Sequence, residues 1–335
     1  MRAPAFWWRP APSGLARALG PAAALYGAIA GRRMGRAGAP APVPVICIGN
    51  FTAGGAGKTP TAIRVAEALA ARGLRPAFLS RGYGGRLAGP VAVDPARHGA
   101  DAVGDEPLLL ARTAPTIVAR DRPAGAALAA RDGADAVVMD DGLQNPSLAK
   151  DCAIAVVDGA VGIGNGRALP AGPLRAPMAA QWPRVDAVLV IGAGAPGERV
   201  AAEAARRGVP VLRGRLAPDG AAAAALAGER VLAFAGIGRP EKFFDTLRAC
   251  GAEPVVARAF PDHHPYRADE IAALAAQARA GGLRLVTTEK DGARLAGLGL
   301  PLAGVTLLPV RLVLEDEAGL AALLDRALAR GRARD

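Results

Sequence analysis

The residues best suited to chemistry form a glycine-rich segment that ends in lysine and threonine, Gly54-Gly55-Ala56-Gly57-Lys58-Thr59. Glycines allow backbone N–H groups to surround phosphate oxygens, the lysine binds the β- and γ-phosphates, and the threonine hydroxyl is a ligand for Mg²⁺. The strict phosphate-loop pattern, G-x-x-x-x-G-K-[ST], has glycine where this chain has Thr52. The segment that begins with Thr52 and Ala53 and ends at Thr59 nevertheless predicts a site for the phosphates of ATP.

Two adjacent carboxylates follow a short apolar run later in the chain. Residues 136–139 are Ala-Val-Val-Met, and Asp140 and Asp141 come next. In nucleotide-binding sheets, a carboxylate at the carboxyl end of a buried strand holds Mg²⁺. Aspartates at strand ends also cap turns, so the pair is informative mainly because the phosphate loop is present. Together they predict a magnesium site made by Thr59 with Asp140 or Asp141.

Two further segments carry ionisable groups without a complete motif. Asp105 precedes a stretch with helical character, and its residue type alone favours a helix N-cap. The proline-bounded loop 261–266 holds His263 and His264, two of the three histidines of the chain. This loop suits a catalytic or orienting imidazole, or a purely structural turn. A zinc site fits least well, because no cysteine or further histidine accompanies the pair.

The charge of the chain is strongly positive, at +11, and almost all the cations are arginines because lysine occurs only four times. Arg81 and Arg175 lie in two glycine-rich loops that suit an anionic substrate, although turns of this composition are common. Nucleic acid is not an expected partner, because the sequence has no RNA-binding motif and no zinc-finger spacing. The three cysteines lie far apart, which indicates a reducing compartment rather than a disulfide framework.

The N-terminal residues 1–36 combine an apolar stripe with basic flanks. The stripe has helical spacing and consists of Leu15, Leu19, Ala22, Tyr26 and Ile29. Two tryptophans and several arginines flank it, namely Trp7, Trp8, Arg9, Arg17, Arg32, Arg33 and Arg36. The apolar run is shorter than the ~20 residues that a membrane-spanning helix needs. We therefore predict a helix that lies in a membrane interface, with packing on the protein's own core as the alternative.

The remaining chain alternates short apolar runs with helical stretches. In residues 37–218 this alternation predicts an α/β fold, with a P-loop NTPase-like parallel sheet covered by helices on both faces. Residues 219–335 repeat the pattern on a smaller scale, and one of their apolar runs is 305–313. We expect them to form a second, smaller α/β domain that closes a cleft over the first.

The ordered series of motifs resembles one family, tetraacyldisaccharide 4'-kinase, the lipid A 4'-kinase of Gram-negative bacteria. The matching segments cover nearly the whole chain in the family's order: 49–50, 54–60, 80–84, 104–107, 140–144, 169–175, 234–237, 262–264 and 288–291. The family also has threonine at the position of Thr52, which accounts for the departure from the strict loop pattern.

The resemblance implies an enzyme on the cytoplasmic face of the bacterial inner membrane, touching the membrane through its N-terminal helix. It implies transfer of the γ-phosphate of ATP, with Mg²⁺, to the 4'-hydroxyl of a tetraacylated glucosamine disaccharide 1-phosphate, which gives lipid IVA. No obligate protein partner is expected.

The resemblance also assigns residues. It places the catalytic aspartate on Asp105 and its partner on His263, in place of the helix-cap interpretation, with Lys58 as the third catalytic residue. It places substrate contacts on Asn50, Arg81, Tyr83, Gln144 and Arg175. The chain departs from the family directly after Arg175, where the family usually has glutamate and this sequence has Ala176.

Two other classes of protein share some of these features. A nucleotide-gated switch or metallochaperone has the same phosphate loop and strand-end aspartate, and would use the histidine pair to relay a metal. A basic nucleic-acid binder rests on charge alone. A phosphorylated lipid product distinguishes the kinase from both.

Overall fold

The computed structural model describes residues 3–297 and 304–333. Parts of the predicted units 1–36 and 219–335, namely residues 1–2, 298–303 and 334–335, lie outside the described residues. The strands of the described chain are β1 (Val45–Gly49), β2 (Pro76–Ser80), β3 (Val91–Ala92), β4 (Thr116–Val118), β5 (Ala136–Asp140), β6 (Cys152–Asp158), β7 (Ala187–Ile191), β8 (Val211–Pro218), β9 (Arg230–Ala235), β10 (Glu253–Ala259), β11 (Arg284–Thr288), β12 (Val305–Leu308) and β13 (Val310–Leu314). The α-helices are α1 (Gly14–Ala18), α2 (Gly20–Met34), α3 (Lys58–Ala70), α4 (Ala100–Val103), α5 (Asp105–Leu110), α6 (Arg122–Arg131), α7 (Met178–Gln181), α8 (Ala195–Arg206), α9 (Gly220–Ala224), α10 (Pro240–Ala249), α11 (Ala268–Ala280), α12 (Glu289–Gly297) and α13 (Glu317–Arg332).

The larger sheet has β1 at its centre, in the order β13-β8-β7-β6-β1-β5-β2-β4-β3. Its interior strands are parallel, but β3 runs antiparallel to β4 and β13 runs antiparallel to β8. The α/β prediction is therefore confirmed, and the prediction of a parallel sheet is wrong at both edges. Strand β13 begins beside the end of β8, where the Asp219 amide donates to the Pro309 carbonyl at 2.9 Å, so β13 runs back along β8 as in a hairpin.

Strands β1 and β5, in the middle of the larger sheet, are buried on both sides, because helices cover both faces there. Ile46 and Ile48 of β1 pack with Leu69 of α3 in one core, whereas Val45 and Cys47 pack in the other. Fully burying one such aliphatic side chain contributes about 1.5–3 kcal/mol. These two cores hold the carboxyl end of β1, where the phosphate loop begins.

The smaller sheet is parallel, in the order β10-β9-β11-β12. The apolar run 305–313, expected as part of this unit, is divided at Pro309, so that β12 belongs to the smaller sheet and β13 to the larger one. Helix α13 then packs against β1 and β6 of the larger sheet. The C-terminal part of the predicted unit 219–335 therefore lies on the larger sheet, while the division into folding domains stays a prediction.

The N-terminal segment forms two consecutive helices that rest on the larger unit through small residues. A side chain on Gly27 would approach Pro177 and Ala168, and one on Gly31 would approach Ala180. The predicted apolar stripe faces away from this contact, and Ile29 is 61% exposed. Leu25, which the stripe omitted, is 66% exposed. Among the described residues, no helix has both the length and the apolarity to cross a membrane.

Candidate active site

The phosphate loop joins β1 to α3, which begins at Lys58. Gly54 and Gly57 have φ angles of 105° and 95°, a region that favours glycine. The side-chain amide of Asn50 donates to the Gly54 carbonyl at 3.0 Å, and Lys58 Nζ lies 3.4 Å from the same oxygen. Gly54 and Gly55 remain exposed. The contacts of Asn50 and Lys58 thus fix the loop on the side that faces the protein. Its other side is exposed and can receive an anionic ligand.

The two predicted metal ligands, Asp140 and Asp141, have different surroundings at the end of β5. Asp141 pairs with Arg175 Nη1 at 2.6 Å and with Lys58 Nζ at 3.8 Å. Burial raises its pKa, but these two cations outweigh burial and hold the pKa below its usual value. Asp140 is fully buried, and its Oδ1 has no hydrogen-bond partner among the described residues.

Burial raises the pKa of Asp140 to about 7, and the negative charges of Glu106 and Asp141 add to the effect. A buried carboxylate oxygen without a partner, beside a second carboxylate, fits a hard cation such as Mg²⁺, which binds through one or two carboxylates and substrate phosphates. The residues present therefore fit the predicted magnesium site.

Asp105 is brought against His263 although the two residues lie in different units. Asp105 is the first residue of α5, the N-cap position is Gly104, and the helix-cap interpretation of Asp105 is therefore incorrect. Its side chain is 4% exposed, and its Oδ2 lies 3.2 Å from His263 Nδ1. His263 has a φ angle of 56°, which is uncommon for a residue other than glycine and marks a constrained position.

The electrostatics of this pair favour charged forms on both residues. Burial raises the pKa of Asp105, but the hydrogen bond to His263 and the charges of Lys290 and Arg294 outweigh it and hold the pKa far below its usual range. The hydrogen bond to Asp105 raises the pKa of His263 above its ordinary value. Asp105 is the buried member of this pair, and the imidazole of His263 is 31% exposed.

Helix α12 supplies the partners that sequence reasoning missed. Arg294 Nη2 lies 2.5 Å from Asp105 Oδ2, and Arg294 Nη1 lies 2.8 Å from the buried carboxylate of Asp291. Asp291 in turn accepts hydrogen bonds from the Gly236 amide and the Tyr266 hydroxyl. In the sequence, only residues 288–291 of this region stand out, as a motif shared with the family, and the motif predicts no partner for Asp105.

Three further ion pairs join the units at the same edge of the larger sheet. Lys290 Nζ lies 2.7 Å from Glu106 Oε1, so that Lys290 and Arg294, one helical turn apart, hold adjacent carboxylates of α5. Asp158, at the end of β6, binds Arg239 at 2.6 Å and also binds Lys242. The surface that these pairs bring together includes the phosphate loop, because a side chain on Gly238 would lie 3.7 Å from the amide of Gly55.

The comparisons with known proteins agree over nearly the whole chain. A family profile described as tetraacyldisaccharide-1-P 4'-kinase matches residues 15–329. Proteins called tetraacyldisaccharide 4'-kinase are similar to this chain: one from Methylobacterium sp. strain 4-46 is 67% identical over 99% of both chains, and one from Rhodopseudomonas palustris strain BisA53 is 58% identical over 95% of this chain and 94% of its own. The chain belongs to the tetraacyldisaccharide 4'-kinase family.

The fold also resembles a solved structure of this kinase family. A crystal structure of an "apo" form of LpxK from Aquifex aeolicus in complex with ATP matches with a TM-score of 0.72 and 25% identity, covering 94% of this chain and 99% of the other. The resemblance inferred from the ordered motifs is confirmed.

The residues to which the family resemblance assigned substrate contacts fall into two groups in this kinase family member. Asn50, Gln144 and Arg175 point inward: Gln144 donates to the Asn50 carbonyl at 2.7 Å, and Arg175 pairs with Asp141. Arg81 and Tyr83 are exposed, and the Tyr83 ring lies 5.4 Å from the imidazole of His263. Their substrate contacts stay predictions.

Ala176 stands where the family resemblance leads us to expect glutamate, and it lies inside the protein. Ala176 is fully buried, and its carbonyl accepts a hydrogen bond from Gln181 at 2.7 Å. The buried Gln181 also binds the Phe51 carbonyl and contacts Gln144, so it links the segment after Arg175 to the phosphate loop. The position therefore carries no carboxylate toward the site in this family member.

The histidine pair is not arranged for a metal. His263 faces Asp105, whereas His264 Nε2 lies 3.0 Å from Glu270 Oε2. In the part of the chain that the structure describes, no three histidine, cysteine, aspartate or glutamate side chains form a group that could hold a metal ion. The zinc and metal-relay alternatives consequently have no geometric support.

Proposed function

We propose that this chain is an ATP-dependent kinase that phosphorylates the 4'-hydroxyl of a tetraacyldisaccharide 1-phosphate and so forms lipid IVA for lipid A synthesis. The observation that carries the proposal is the contact between Asp105 and His263 at 3.2 Å, next to a phosphate loop. Glu106, which follows Asp105, lies within electrostatic reach of both Lys58 and Asp140. A base for a hydroxyl and a site for ATP are therefore adjacent.

The phosphoryl step divides among these residues as follows. Lys58 and the loop amides from Thr52 to Thr59 bind the β- and γ-phosphates and offset their charge. The 4'-oxygen of the sugar forms a bond to the γ-phosphorus while the bond from that phosphorus to the β–γ bridging oxygen breaks. The hydroxyl proton passes to Asp105, and His263, which is hydrogen-bonded to that carboxylate, orients it.

Mg²⁺ would be held by Asp140 with the Thr59 hydroxyl and phosphate oxygens, and when bound it would neutralise charge that develops on the phosphates. Asp141 is the weaker candidate, since Arg175 and Lys58 already bind its carboxylate. In this arrangement Asp141 positions Lys58 and Arg175 beside the nucleotide.

The substrate is an anion with four acyl chains, and the site offers cations and an aromatic ring at its open side. Arg81 and Tyr83 are exposed beside the imidazole of His263 and are the groups best placed to meet the sugar. Asn50, Gln144 and Arg175 lie deeper in the site. Their hydrogen bonds support the phosphate loop and Asp141 from the side that faces the protein.

The acyl chains imply a membrane surface, and the N-terminal helices supply a face for it. Leu15, Leu25 and Ile29 are each more than half exposed, and arginines flank them at both ends. An exposed apolar face with basic flanks is typical of a helix that lies in the interface of an anionic membrane. We place the enzyme on the cytoplasmic face of the inner membrane, without a spanning segment in this region.

The direct test is incubation of the purified protein with γ-labelled ATP, Mg²⁺ and tetraacyldisaccharide 1-phosphate. We expect a labelled lipid product that carries a second phosphate. Hydrolysis of ATP without a labelled lipid, or hydrolysis that depends on a metal-binding partner, would instead favour a nucleotide-gated switch.

A further inference from the structure

A cavity of about 330 Å³ lies on the side of the larger sheet away from the phosphate loop. Its walls come from the segments before β6 and β7, so it sits at the amino ends of parallel strands, whereas the phosphate loop follows the carboxyl end of β1. The end of α2 closes it on one side through Met34. The cavity is therefore separate from the site proposed for ATP.

The walls of this cavity are unusually rich in cations. Arg36, Lys150, Arg184 and Arg330 line it, together with a single carboxylate, Asp186. Asp186 is occupied, because its Oδ1 pairs with Arg330 at 2.7 Å and its Oδ2 accepts the Ala153 amide. Arg36, Lys150 and Arg184 line the cavity beyond this pair.

Lys150 is the least exposed of the four cations. Its ammonium is half-buried and donates at 2.6 Å to a neutral acceptor, the Asn145 carbonyl. Burial lowers the pKa of Lys150, and the nearby charge of Arg184 lowers it further. Desolvation of the charge destabilises the folded state, and an anion bound between Lys150 and Arg184 would offset that effect.

We propose that this cavity binds the phosphate group of an anionic phosphate ester through Lys150 and Arg184, with Arg36 at its rim. Arginine and lysine are the side chains that proteins use for phosphate oxygens, and the volume suits a headgroup-sized ligand. Met34 and Arg36, at the end of α2, line the cavity, and the exposed Arg32 and Arg33 lie in the last turn of the same helix. A phospholipid headgroup at the membrane surface is thus one source, and a soluble phosphate ester is the other; only the first rests on the proposed membrane contact.

The test uses the full-length protein with its phosphate loop filled by a non-hydrolysable ATP analogue and Mg²⁺. Calorimetry measures binding of glycerol phosphate, and co-sedimentation measures binding to phosphatidylcholine vesicles with and without phosphatidylglycerol. The cavity variant is Arg184→Gln, which removes an exposed side chain and leaves the fold intact. Its matched control is Arg32→Gln, which removes the same charge from the exposed surface of α2. A second cavity variant, Lys150→Met, tests the buried cation.

We expect saturable one-to-one binding of glycerol phosphate that Arg184→Gln weakens by at least about tenfold and Arg32→Gln leaves unchanged. If Arg184→Gln also lowers binding to phosphatidylglycerol vesicles by more than Arg32→Gln does, the ligand is a lipid headgroup. If the two variants bind vesicles equally, the ligand is a soluble phosphate ester. The proposal is overturned if glycerol phosphate does not bind saturably, or if Arg184→Gln and Arg32→Gln weaken its binding equally. Kinase activity on detergent-dispersed substrate is measured in parallel, so a failure of the proposed function is recognised separately.

Discussion

Arg294 Nη2 and Asp105 Oδ2 lie 2.5 Å apart, across the boundary between the two sheets. Arg294 is itself held by the buried Asp291, and the Gly236 carbonyl accepts hydrogen bonds from both Arg294 and the backbone amide of His263. One buried network therefore positions the arginine and the histidine that flank the proposed base. It links the chemistry at Asp105 to the position of the smaller unit.

Replacing Arg294 should change the pH dependence of catalysis. The positive charge of Arg294 is one of the causes that hold the pKa of Asp105 low, and the base acts in its deprotonated form. In Arg294→Gln the pKa of Asp105 rises, so kcat/KM should begin to fall at a higher pH on the acid side than in the wild type. Arg294→Lys keeps the charge and serves as the control. Equal kcat/KM in Arg294→Gln and Arg294→Lys at every pH would show that the charge of Arg294 does not act on Asp105.

Removing either member of the Asp105–His263 pair should abolish most of the phosphoryl transfer. General base catalysis contributes about 10²–10⁴-fold, so Asp105→Ala and His263→Ala should each lower kcat by ~10² or more. The control is binding of ATP to the folded variants, which should persist because the phosphate loop is intact. Turnover like that of the wild type in either variant would exclude the pair as the base.

The two aspartates after β5 should respond differently to Mg²⁺. Asp140 has a free, buried oxygen, whereas Asp141 is engaged with Arg175 and Lys58. Asp140→Ala should raise the Mg²⁺ concentration for half-maximal activity by at least about tenfold, and Asp141→Ala should mainly raise the KM for ATP. Titration of activity with Mg²⁺ at saturating ATP separates the two effects. The reverse pattern would assign the metal to Asp141.

A charge on the exposed apolar face of α2 should weaken membrane binding. Leu25 is 66% exposed, and placing a carboxylate there opposes both apolar insertion and the attraction of the arginines to anionic lipid. Leu25→Asp should reduce co-sedimentation with anionic vesicles by about tenfold or more, without changing the thermal midpoint. Val255→Asp introduces the same charge at an exposed apolar residue of β10 and should bind vesicles normally. Equal binding by both variants would return α2 to a purely structural role.

The parts of this site that could be predicted from the sequence are those made by contiguous residues. The phosphate loop lies within one strand–loop–helix unit, and Asp140 follows directly from the burial of its own strand. Arg294 could not be found in this way, because 189 residues separate it from Asp105 and its helix has no motif for a carboxylate partner. The periodicity of the N-terminal helix was visible, but small residues such as Gly27 decide which face turns inward.

The antiparallel pairing of β8 with β13 has a consequence for how the cleft can move. These strands are the two arms of a β-hairpin, and residues 219–309 occupy the place of its turn. At the base of this insertion the Asp219 amide donates to the Pro309 carbonyl at 2.9 Å, so both covalent connections leave through one point. The smaller sheet is therefore connected to the larger one at a single hinge point. A rotation at this hinge would move His263, Lys290 and Arg294 together relative to the phosphate loop.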